Sequence, residues 1–326
     1  MFSGALWELD SSRAPFIMDV YTIEDNDFDK EAKNILVQYL SPHNRPKLST
    51  AAAAARVNAL YDLIDPDEET TEGFMALLDA EIFGNIASYI PHNDPAQDKL
   101  VDLARAVQRL PLERGRPNWT IFCYSGELAE MYTGEWDIGS ELFNENPKIV
   151  TIAKKCWRNF NAYCARLTGR GVCDLSRLAL WSLRDALEQD PEPNGPPELM
   201  LEVAADWLKY AAPVLFEKKF DYGRQAKGGR LWTGMGGFCR QRWALWKYQF
   251  GELAKNNGLQ PSLQQMARQA AAMIDLSKVK AVEGPGMLPD SDDEDEGFQL
   301  VEHRGEPMLV EGPISPRVPS DDEMSD

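Results

Sequence analysis

The feature that most constrains the fold is the stretch Lys148–Glu188, KIVTIAKKCWRNFNAYCARLTGRGVCDLSRLALWSLRDALE. Ile149, Ile152, Ala153, Cys156, Trp157, Phe160, Tyr163, Cys164 and Leu167 recur three and four residues apart, the spacing of one helical face. Gly169 and Gly171 provide the backbone freedom to leave that helix. Asp174 is placed to cap a second helix carrying Leu175, Leu178, Ala179, Leu180, Trp181, Leu183, Ala186 and Leu187, apolar nearly all round. A helix of that kind belongs in the middle of a core. Arg184 falls between Leu180 and Leu187, so the pattern predicts a guanidinium on a buried face, with Glu188, Asp185 or an acid on another helix as its internal partner.

The same periodicity recurs along the chain. A short helix is expected over about 29–40. Ser49 caps the run AAAAARVNALYDLI, which Asp65-Pro66 ends; alanine is the best helix former, so the run needs no special function. Thr70 or Thr71 starts a helix with Phe74, Leu77, Leu78, Ile82, Phe83 and Ile86 on its face. Asp94-Pro95 is a cap followed by proline in the first turn. The pattern weakens over 112–146, where only Glu127–Tyr132 suggests a short helix. Beyond the organising stretch come LMLEVAADWLKYAAPVLF, which Pro213 should kink or end, the glycine-rich loop DYGRQAKGGRLWTGMGGF, the aromatic helix CRQRWALWKYQF, and a last helix opened by Pro261. The expected fold is all-α, roughly nine or ten helices in one irregular helical array. Residues 1–29 read as an irregular acidic segment and 30–282 as the helical domain, with a subdomain boundary near 111–147. Residues 283–326, rich in Pro, Gly and acid, read as a disordered tail.

Charge is segregated. The whole chain carries a formal −18, which repels nucleic acid and anionic lipid at long range. Residues 148–184 and 209–247 are each net +7, the segment between them is net −7, and 283–326 is net −12. Either these blocks pair inside one fold, or a basic face is left for an anionic partner or for the chain's own tail. No window approaches the roughly 20 apolar residues of a membrane span, and no secretory leader is visible at Met1–Ser12. Five cysteines without metal-type spacing read as buried thiols of a reducing compartment, so the expected location is cytoplasmic or nuclear.

The three histidines, His43, His92 and His303, leave 93–302 without any, which argues against a histidine triad or a histidine-rich metal site in the helices. No phosphate-binding, zinc-protease or nucleophile-elbow signature is present, and no cofactor is implied. The candidate ligand contacts are Arg166 and Arg184, guanidinium groups beside apolar faces, and Arg242 with Trp232 and Trp246 around the glycine loop. In the tail, Ser291 and Ser320 each open an SDDE run of the type acidophilic kinases use, and Ser315 precedes Pro316. DEDEGFQLV, through Phe298 and Val301, resembles an autophagy-receptor motif.

WRNFNAYCARL (157–167), LWSLRDALE (180–188), VAADWLKYAAPVLF (203–216) and LWTGMGGFCRQRWALWKYQF (231–250), in that order, resemble the fungal domain-of-unknown-function family 3632 over roughly Leu100–Ile274. The resemblance implies a fungal, intracellular, all-helical protein and brings no activity, cofactor or catalytic residue with it. The residues favour a non-enzymatic interaction or regulatory protein whose acidic tail contacts a protein partner or folds onto the basic segments. The alternative is a helical binder or enzyme for an anionic or aromatic small molecule, with a pocket near Arg184, Arg242 and Trp246.

Overall fold

The computed structural model describes residues 27–40, 48–64, 70–123, 142, 145–189, 197–282, 300–303 and 306–309. The fold is all-α. In chain order the helices are α1 (Asp27–Leu40), α2 (Thr50–Ala59), α3 (Thr71–Ala76), α4 (Asn85–Tyr89), α5 (Pro95–Gln108), α6 (Pro147–Gly169), α7 (Ser176–Leu187), α8 (Glu198–Phe216), α9 (Arg240–Leu253) and α10 (Pro261–Val282). Leu300–His303 and Glu306–Leu309 pair as a short antiparallel hairpin, with Leu300 opposite Leu309. The expected helix at 127–132, Phe298, Ser291, Ser315 and Ser320 lie outside the described residues, as do most of 1–29 and most of the tail; of Val301 only the backbone is described.

The caps form as the residue types dictate. The Ser49 hydroxyl accepts from the Ala52 amide at 3.2 Å, Thr70 from Gly73 at 3.1 Å, and Asp94 from Ala96 at 2.7 Å. Each satisfies one of the amides that a helix start leaves without an internal partner. The helix expected from Thr71 to Tyr89 is not uniform: α3 and α4 are joined by a π-helical segment, Leu77–Gly84. Pro213 also departs from expectation. It sits inside α8, which continues to Phe216. Proline there removes one hydrogen bond only a turn from the helix end, and exposed Lys209, whose carbonyl loses that donor, can turn it to water.

Helix α8 is the central member, packed most extensively on α6 and α10 and then on α7, while α9 packs on α10 and α7. One continuous buried cluster runs from Phe28 in α1 to Ile274 in α10. The α6–α8 contact is close enough to dictate sequence. A Cβ added to Gly169 would stand 1.9 Å from the Tyr210 carbonyl oxygen, so the two backbones meet only because Gly169 has none. Gly251 in α9 faces open space. Gly169→Ala should therefore destabilise by about 1–3 kcal/mol through overpacking, while Gly251→Ala should stabilise by about 0.5–1 kcal/mol. Urea unfolding of both variants checks this, and shifts of the same sign would contradict it.

Candidate functional site

The strongest polar cluster is closed. Glu188, at the C-terminal end of α7, is fully buried and pairs with fully buried Arg242 of α9. Its Oε1 accepts from Arg242 Nε at 2.7 Å and from Trp246 Nε1 at 2.7 Å. Its Oε2 accepts from Arg242 Nη2 at 3.1 Å and from the Gly229 amide at 2.9 Å. Its own carbonyl accepts from the Leu231 amide. The remaining Arg242 nitrogen, Nη1, donates to the carbonyls of Gly237 and Ala226. A Cβ on Gly229 would lie 2.4 Å from the Glu188 carbonyl oxygen, so the loop reaches the carboxylate only through a glycine. Trp232 donates to the Met235 carbonyl at 3.0 Å and packs with Leu231 and Leu245. Thus Trp232, Arg242 and Trp246 are brought together, around a protein carboxylate.

The remaining two candidates lie elsewhere. Arg166 is buried; it donates to Asp98 at 3.2 Å and to the carbonyls of Ala162 and His92, and it lies 3.7 Å over the Tyr210 ring. Arg184 takes Asp185, one of its expected partners, but not on a buried face. Its side chain is 28% exposed and pairs with Asp185 at 2.7 Å; the residue turned wholly inward is Glu188. An i, i+4 pairing from Arg184 to Glu188 does not arise because Arg242, 54 positions further along, occupies that carboxylate.

Several cations of the basic middle are spent in the same way. Arg158 holds Asp206 at 2.7 Å and also Glu202; Arg170 holds Asp98 and Asp102; Lys218 holds Asp174; Lys247 holds Asp275. Lys154 and Lys155 on α6 are the contrast. Both are exposed and neither has an ion-pair partner among the described residues. They line a groove of about 450 Å³ between α6 and the start of α8. His92, Arg158 and Asn159 line the same groove, with Leu142, Pro197, Leu199 and Met200 as its apolar side and Glu198 and Glu202 at its edge.

The groove's floor is rigid. The His92 amide donates to Asn159 Oδ1 at 2.7 Å, and the His92 carbonyl accepts from Arg166 and from the Tyr210 hydroxyl. Asn159 Nδ2 donates to the Ser88 carbonyl, and buried Gln97 donates to the carbonyls of Ala87, Ile90 and Asn159. Burial holds the His92 imidazole below its ordinary pKa, and the cations Arg158, Lys209 and Arg166 add to that, against an opposing pull from Asp206. The imidazole is therefore mainly neutral at neutral pH, beside two exposed ammonium groups. Burial likewise raises the Glu202 carboxyl, reinforced by Glu198 and Asp206 and offset by Arg158.

Nucleophilic chemistry finds little support among the thiols. All five cysteines are free. Burial pushes Cys156 up to about 11 and raises Cys123, Cys164 and Cys173 further. A thiol so raised carries almost no thiolate at neutral pH. Among the described residues no group of three or more His, Cys, Asp or Glu side chains could hold a metal ion, and no helix is long and apolar enough to cross a membrane.

The family described as a protein of unknown function, DUF3632, matches residues 81–250. That range takes in the end of the π-helical segment, the groove, the Glu188 cluster and most of α9. The chain belongs to the DUF3632 family. The match begins earlier than the Leu100 expected from the resembling blocks and stops before α10. No curated protein and no solved structure matches the chain. In this DUF3632 chain the blocks 180–188 and 231–250 contribute Glu188, Arg242 and Trp246 to one buried cluster, so part of what marks the resemblance is a packing contact.

The groove was not apparent in the sequence. His92 reads there as a loop histidine, and Lys154 and Lys155 merge into a generally basic block. The one available signal was position: Lys154 and Lys155 fall outside the stripe marked by Ile152, Ala153, Cys156 and Trp157.

The Glu188 contact has a measurable weight. Arg242→Met leaves a buried carboxylate without its countercharge and should destabilise by about 3–5 kcal/mol. Glu188→Leu combined with Arg242→Met removes both charges and should recover a large part of that loss in a double-mutant cycle followed by urea denaturation. A double variant no more stable than Arg242→Met alone would show that the pair is not the source of the effect.

Proposed function

We propose that this protein is a non-enzymatic interaction protein that takes an acidic partner segment into the α6–α8 groove. The observation that carries the reading is the pair Lys154 and Lys155. They remain exposed and unpaired among the described residues, while Arg158 in the same groove and Arg170 just past the end of α6 are internally matched. Unpaired ammonium groups at a groove mouth attract carboxylates and speed their encounter. The apolar side formed by Leu142, Pro197, Leu199 and Met200 suits a partner in which an apolar side chain accompanies the acids. Bound carboxylates would also favour protonation of His92, coupling capture to proton uptake. The five free cysteines support placement in a reducing compartment, cytoplasmic or nuclear.

The test uses the full chain and a fluorescent peptide of five glutamates followed by phenylalanine. Lys154→Glu together with Lys155→Glu should weaken binding at least tenfold at low ionic strength and leave the melting temperature unchanged, since both side chains are exposed. Binding to the unsubstituted chain should also weaken steeply with salt. Equal affinity of the two chains would refute the groove as the site.

A further inference from the structure

We infer that the chain's own segment Asp290–Phe298 occupies the α6–α8 groove in cis and competes with outside partners. This inference rests on the reading of the groove given above and names its resident ligand. Three observations favour that occupant.

The first is chemical complementarity. The groove sets Lys154 and Lys155 beside the apolar Leu142, Pro197, Leu199 and Met200. The segment DSDDEDEGF places Asp290, Asp292, Asp293, Glu294, Asp295 and Glu296 directly ahead of Phe298. The other acidic run of the tail, Asp321–Asp326, has acids but no aromatic residue.

The second is reach. Helix α10 ends at Val282, and Asp292 follows ten residues later. An extended chain of that length spans about 33 Å, and the span to Phe298 is about 50 Å. A helical domain of roughly 250 residues has a radius of gyration of about 18 Å, so the tether reaches most of its surface.

The third is the charge ledger of the fold. The basic blocks 148–184 and 209–247 meet acids of the domain at Asp98, Asp102, Asp174, Asp185, Glu188, Glu202, Asp206 and Asp275. The net −12 of residues 283–326 is left to seek cations elsewhere, and Lys154 and Lys155 are exposed.

Tethering sets the size of the effect. A short flexible tether gives an effective concentration of about 1 mM. Against an intrinsic dissociation constant of about 100 µM, that weakens an outside acidic ligand roughly tenfold. Phosphorylation of Ser291 would add about two negative charges to the same run and deepen the competition.

The experiment compares two full-length chains: the unsubstituted one, and one carrying Asp292→Asn, Asp293→Asn, Glu294→Gln, Asp295→Asn and Glu296→Gln. Each is titrated with the labelled five-glutamate peptide, with and without Lys154→Glu and Lys155→Glu. The expected result is at least fivefold tighter binding to the tail-neutralised chain, abolished by the lysine reversals. Equal lysine-dependent affinity in both chains would overturn cis occupancy and leave the groove reading standing. Affinity indifferent to the lysines in both chains would overturn the groove and its proposed occupant together.

Discussion

A carboxylate taken wholly out of water costs several kcal/mol, and it stays ionised only if the fold surrounds it with donors. Glu188 meets that demand with four donated hydrogen bonds, two from Arg242, one from Trp246 and one from the Gly229 amide. None of these groups is near it in sequence. Meeting the demand therefore ties the end of α7 to the glycine loop and to α9 at once. The loop can follow this path because Gly229 has no Cβ to strike the Glu188 carbonyl. The tryptophans then fill the space around the ion pair. Trp243 and Trp246 pack edge to face at 5.0 Å, and Phe238 stacks on Trp243. The C-terminal half of the domain is thus organised by an ion pair that offers nothing to a ligand.

The same logic extends to the basic blocks, several of whose cations are held by acids from other helices. Arg158 bridges α6 to α8, Arg166 and Arg170 bridge α6 to α5, and Lys247 bridges α9 to α10. Partly exposed pairs of this kind contribute little stability singly, about 0–1 kcal/mol each. Their consequence here is to neutralise surface that the sequence presents as basic. What survives as accessible positive charge in the groove is a pair of adjacent lysines, in the same lining as a histidine whose pKa is lowered by burial and further by its cationic neighbours. Function, on this account, lies in the residue of charge left after the fold has matched the rest.

Much of the architecture is legible in the sequence because its causes are local. Ser49, Thr70 and Asp94 cap the helices they precede, and the stripe from Ala153 to Leu167 is buried as its spacing requires. The features that escape are those with distant or cumulative causes. Arg184 and Glu188 sit four apart, and nothing local says that the acid turns inward to a partner 54 residues on while the base takes its neighbour Asp185. The π-helical segment at 77–84, LLDAEIFG, keeps apolar residues at spacings that also suit an α-helix, so the wider turn leaves no mark in the pattern. Lys154 and Lys155 become distinctive only once Arg158, in the same groove, is seen to be held by Glu202 and Asp206, which needs the three-dimensional contacts.

The account's central claim is that the buried guanidinium groups are closed structural pairs and that the accessible positive charge of the groove is Lys154 and Lys155. Chemical labelling of the native full-length chain tests it most directly, with an amine acylating reagent and phenylglyoxal, read residue by residue by mass spectrometry. Lys154 and Lys155 should label rapidly and be protected by the five-glutamate peptide, while Arg166 and Arg242 should label only on unfolding. Rapid native labelling of Arg242, or peptide protection at Arg242 and not at the two lysines, would contradict it.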